Sequence, residues 1–128
     1  MKISLDKQEK YTLLKLDEEK LDSSYAPELK SEFVKLHAEG AKNLIIDLSA
    51  VKYSDSSGLS SLLVGNRVFN ESGGAFVLCG ISEHVMKLIS ISMLDKVLDI
   101  LPTVQESIDA VFMHEIESDL QSGAEGEE

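Results

Sequence analysis

The most constraining stretch of the chain is Asn43 to Leu48, where Leu44-Ile45-Ile46 form an unbroken apolar run bounded on both sides by segments of helical period. A run this short and this apolar suits a central strand buried on both faces. Burial on both faces requires helices on the sheet, so the run commits the chain to an α/β class. The flanking segments agree. Ser24 to Gly40 places Ala26, Leu29, Phe33 and Leu36 on one side of a helix, with Pro27 near its start and Gly40 past its end. Leu59, Leu62, Leu63, Asn66 and Phe69 mark a second helix that stops at Gly73-Gly74. Ile3 to Leu5 and Tyr11 to Leu16 read as two strands joined by a polar turn through Lys7 to Lys10, and Ala75 to Cys79 as another strand. Ser82 is placed to cap a third helix that uses Val85, Leu88 and Ile89. Val97 to Leu101 is a further strand, and Thr103-Val104-Gln105-Glu106 is a capping box opening a last helix. The expected order is β-β-α-β-α-β-α-β-α, a mixed sheet of about five strands with four main helices packed on it.

At 128 residues the chain fits one domain. Its 12 basic against 23 acidic residues, a net charge of -11, argue against nucleic acid and anionic membrane surfaces, which need clustered cations. Cys79 is the only cysteine, so neither an intramolecular disulfide nor a multi-cysteine metal site is available. No metal or cofactor is expected. The N-terminus lacks the apolar stretch of a signal peptide and no run approaches a membrane span, so the expected location is cytoplasmic. Residues 115 to 128 hold Glu115, Glu117, Asp119, Glu125, Glu127 and Glu128 with no Lys or Arg. The expected division is a folded domain over 1–116 and an acidic, disordered tail over 117–128, because the tail offers little apolar surface to offset chain entropy.

Ligands of such folds gather beyond the strand C-termini, which directs attention to the loops around Asp22, Asp55 and Ile81. Asp55-Ser56-Ser57-Gly58 opens the second helix. One reading is a helix cap, since Asp and Ser oxygens accept from the unpaired N–H groups of a first turn. The other is a solvent-facing serine in a loop relaxed by Gly58, an acceptor for another enzyme's phosphoryl group at the positive end of the helix dipole. A serine-nucleophile enzyme using His84 lacks a Gly-x-Ser-x-Gly elbow, and phosphate-binding glycine loops are absent too. A receiver domain using Asp47 would need an acidic pair after its first strand, whereas Asp17, Glu18 and Glu19 follow the second.

Asp47-Leu48 through Asp55-Ser56-Ser57-Gly58-Leu59, then Gly73-Gly74 and Cys79-Gly80-Ile81-Ser82, resembles the STAS domain of bacterial anti-sigma factor antagonists over roughly residues 3 to 114. Leu21, Asp22 and Ala26 match a second element of that family. The resemblance implies that Ser56 is the phosphorylation site, with Ser57 as the nearest alternative, and that Asp22, Ser23, Asp55, Ser57, Gly58 and Leu59 face the partner. It further implies a non-catalytic partner switch. The unphosphorylated protein binds an anti-sigma factor that is also a serine kinase, releasing a sigma factor; phosphorylation ends the complex, and a metal-dependent serine phosphatase restores it. The rival within the same fold is a non-switching scaffold or transporter-accessory module.

Overall fold

The computed structural model describes residues 1–126, with side chains through Gln121. In chain order the elements are β1 Ile3–Lys7, β2 Thr12–Leu16, β3 Lys20–Leu21, α1 Ala26–Ala38, β4 Leu44–Asp47, β5 Tyr53–Ser54, α2 Ser56–Glu71, β6 Phe76–Cys79, α3 Glu83–Ile91, β7 Asp99–Leu101 and α4 Val104–Gly126. Five strands form one sheet in the order β1-β2-β4-β6-β7, and β3 pairs with β5 in a separate two-stranded ladder. The β1–β2 pair is antiparallel, in keeping with its short connection, and every other pair is parallel. The sheet is mixed, as expected, and β4 is its central strand.

Strand alternation divides the interior in two. Leu14, Leu16, Leu44, Ile46, Phe76 and Leu78 point toward α1, α2 and α3, where they join Leu29, Phe33, Leu36, Leu62 and Phe69. Ile45, Val77 and Cys79 point the other way, against Val111 of α4. Gly65 lets α2 approach closely, because a Cβ there would overlap the rings of Phe33 and Phe76.

Three differences from the sequence reading have physical causes. The strand expected over Val97 to Leu101 begins only at Asp99, since Leu94–Lys96 wind into a 3-10 turn after Met93 adopts a left-handed φ of 61°. The two-residue strands β3 and β5 leave no periodicity to read and exist only through their mutual pairing. The last helix continues through Gly126, where a structureless tail was expected from residue 117; residues 127 and 128 lie outside the described residues. Glu115 helps to anchor it. Asn43 Nδ2 donates to Glu115 Oε1, Lys42 Nζ lies 3.4 Å from the same oxygen, and Asn43 Oδ1 accepts from the Ala75 N–H at 2.8 Å. The Asn43 bond and Lys42 hold the Glu115 carboxyl below its usual range, although burial works against them. A nucleated helix then extends cheaply through Glu117, Leu120 and Gln121, which are good helix formers.

Candidate functional site

The β3–β5 ladder joins two loops distant in sequence. Leu21 pairs with Ser54, so Asp22 and Asp55 each follow directly from the C-terminal end of one short strand. Ser54 Oγ donates to the Leu21 carbonyl at 2.9 Å, and the Lys52 and Tyr53 N–H groups both donate to the Glu19 carbonyl, at 2.7 and 3.1 Å. The Asp22 carboxylate accepts from the Ser24 N–H at 2.9 Å, while its carbonyl accepts from Tyr25 and Ala26. Asp22 thus shapes the turn into α1, whose N-cap Tyr25 makes no side-chain cap.

Asp55 is the N-cap of α2, its Oδ1 accepting from the Gly58 N–H at 2.9 Å. The capping reading is therefore correct for the aspartate, and it leaves the serines for other work. Ser56 is exposed at the first helical position, Ser57 is half-buried at the second, and neither hydroxyl has a hydrogen-bond partner among the described residues. Their backbone N–H groups belong to the first turn, where no intrahelical acceptor exists. The glycine works differently from the expectation of a relaxed loop. Gly58 lies inside the helix and is buried; a Cβ on it would overlap the Leu21 carbonyl oxygen and the Ser54 hydroxyl. Its absent side chain is what lets β3 meet the start of α2. Leu59, expected to face a partner, is 3% exposed and belongs to the core beneath the helix. Ser23 is exposed and Asp22 half-buried, on the outer side of the same junction.

Tyr53, Lys87 and Ile91, which sequence reasoning left aside, adjoin this edge together with His84. Tyr53, Ser54 and Asp55 form one wall of a groove of about 320 Å³, with His84, Lys87 and Ile91 of α3 on the other. The rings of Tyr53 and His84 stack with centroids 6.0 Å apart and planes 21° from parallel. No local signal announces this pairing, since Tyr53 belongs to β5 and His84 to α3; His84 does lie on the same edge as Asp55, at an exposed position. Cys79 lies under α4, where burial pushes its thiol up, against a hydrogen bond to Ser107. Among the described residues no three His, Cys, Asp or Glu side chains cluster as a metal site, and no helix is long and apolar enough to cross a membrane.

Comparison with known proteins agrees with this architecture. The STAS domain profile matches residues 2–107. The anti-sigma-B factor antagonist of Bacillus subtilis (strain 168) is 34% identical over 80 residues, which cover 62% of this chain and 72% of that protein. Among solved structures, an anti-sigma-factor antagonist (STAS) domain protein from Planctomyces limnophilus superposes with a TM-score of 0.76 at 24% identity, covering 85% of this chain and 97% of that one. The anti-sigma factor antagonist SpoIIAA in its unphosphorylated form gives a TM-score of 0.72 at 22% identity, covering 86% and 96%. These two structures establish likeness of fold. With the profile spanning most of the sheet and helices, and with a related antagonist sharing a third of the aligned residues, the chain belongs to the STAS domain family of anti-sigma factor antagonists.

Proposed function

We propose that this protein works as a partner switch: unphosphorylated, it binds an anti-sigma factor with serine kinase activity and so releases a sigma factor, and phosphorylation of Ser56 dissolves that complex. A metal-dependent serine phosphatase resets it. The observation that carries this reading is the division of labour at the start of α2. Asp55 satisfies the cap, Gly58 locks the helix to β3, and Ser56 is left exposed with an unengaged hydroxyl. Ser57, half-buried, is the poorer acceptor. The relatives support it in kind, since SpoIIAA of Bacillus has been solved in a phosphorylated form as well.

The energetics are sufficient. Phosphate adds about -1.5 to -2 charge beside Asp22 and Asp55. Against an acidic or closely packed partner, unit charges ~6 Å apart at an effective dielectric near 20 repel by roughly 3 kcal/mol, about a hundredfold in affinity. The helix N-terminus receives the phosphate without unfolding, because its free N–H groups and dipole favour an anion. Mass spectrometry after incubation with the cognate kinase and ATP should place phosphate on Ser56. Ser56→Ala should bind the kinase constitutively, and Ser56→Asp should bind it more weakly. Phosphate found only away from residues 56 and 57, or binding indifferent to Ser56→Asp, would overturn the reading.

A further inference from the structure

The sheet face opposite α2 is covered by α4 alone, and that cover is incomplete. Phe112, Ile116 and Leu120 recur every fourth residue on the outer side of α4, with Met113 beside them, and they are 43%, 54%, 68% and, for Met113, 56% exposed. Val111 and Glu115, about a third of a turn away round the helix, are buried. Between α4 and the edge strand β7 runs a groove of about 380 Å³, with Ala75, Val77 and Leu101 as its floor and Ala110 and Met113 as its wall. Asp99 and Glu117 also line it, both exposed. A helix with apolar residues on its outer as well as its inner face has a second partner to bury.

The charge on this face selects that partner. From Val97 to Gln121 there is no Lys or Arg, while Asp99, Glu106, Asp109, Glu117 and Asp119 are all exposed acids. Glu117 and Asp119 flank the apolar stripe. Such a face repels nucleic acid and anionic lipid. A second copy would set two like-charged faces against each other. We infer that the α4–β7 face is a docking surface, separate from the Ser56 edge, for a cationic amphipathic helix of another protein. That helix would seat apolar side chains on Met113, Ile116 and the groove while its Lys or Arg residues meet Asp99, Glu117 and Asp119. Electrostatic complementarity of this kind steers association and fixes register, while the apolar contact holds the complex.

The test uses the full chain, isotope-labelled for NMR, and a synthetic ~18-residue peptide with Leu on one helical face and Lys on the other. Its control is a peptide of the same composition permuted to have no apolar face. The amphipathic peptide should shift resonances confined to β7 and α4. Binding should weaken about tenfold with the permuted peptide, with Met113→Ser/Ile116→Ser, and with Glu117→Lys/Asp119→Lys, but not with Ser56→Asp. The four substituted positions are exposed, and the amide spectrum of each variant reports whether it stays folded. Two peptides binding alike, with the variants indifferent, would reduce the face to diffuse charge and overturn the inference. So would a dimer in sedimentation that Met113→Ser/Ile116→Ser dissolves, since the occupant would then be a second copy.

Discussion

The two faces of the sheet are built to different degrees of completion. On one, α1, α2 and α3 cover a cluster of three phenylalanines and many leucines; Phe33 and Phe76 meet edge to face with centroids 5.3 Å apart. On the other, α4 alone, through Val111, covers Ile45, Ala75, Val77 and Cys79. At the edge of the finished face, where α2 begins, Ser56 stands exposed. The unfinished face offers apolar surface. The difference teaches that a doubly covered sheet distributes stability and recognition unevenly: where three helices meet, burial is nearly complete, and where one helix lies alone, its flanks stay open.

This contrast is open to direct attack. Phe33→Ala should cost about 3–5 kcal/mol in urea unfolding, whereas Val111→Ala should cost about 1.5–3. Equal losses would erase the difference between the faces. At the functional edge, Gly58→Ala should destabilise by about 1–3 kcal/mol, since the added methyl must push β3 from α2, and it should also weaken partner binding. An unchanged melting temperature and unchanged binding would show that the junction tolerates slack. On the α4 side, Glu115→Gln should cost about 1 kcal/mol, keeping an acceptor for Asn43 while losing the charge near Lys42. Because the folded-state pKa of Glu115 is depressed, its contribution is present above the ordinary glutamate range near ~4.3 and is lost as pH falls through the lower, folded value. Unfolding followed from neutral to acid pH should thus show a shallower decline in the variant. The smallest effect belongs to Asp22→Ala, which removes one turn hydrogen bond and should cost about 0.5–1 kcal/mol. Its loss of partner affinity should exceed that figure; matching losses in unfolding and binding titrations would make Asp22 a turn-former only.

Much of the fold was legible because periodicity and caps are local. The run Leu44-Ile45-Ile46 announced β4, and the period of Leu29, Phe33 and Leu36 announced α1. Ser82 and Thr103 cap their helices as their spacing promised, accepting from Val85 and Glu106. The site was half legible. Asp55-Ser56-Ser57-Gly58 could be seen to open a helix with Leu59 on its apolar stripe, but not that Asp55 alone serves as its cap. The stack of Tyr53 on His84 had no local trace.

What the sequence by itself determined is the order of the five main strands and four helices and the cap-forming residues at the start of α2, since both follow from neighbours within a few residues. The tertiary structure decided which loops meet. Leu21 and Ser54 pair only because α1 and β4 return the chain to the same edge, and only then does Gly58 become indispensable. It also decided the fate of α4. Glu115 reads as one more acid in an acidic segment until Asn43 and Lys42, brought to it by β4, make it an anchor that holds the helix to the sheet. Long-range pairing of this kind depends on the geometry of the assembled sheet, which no window of local sequence contains.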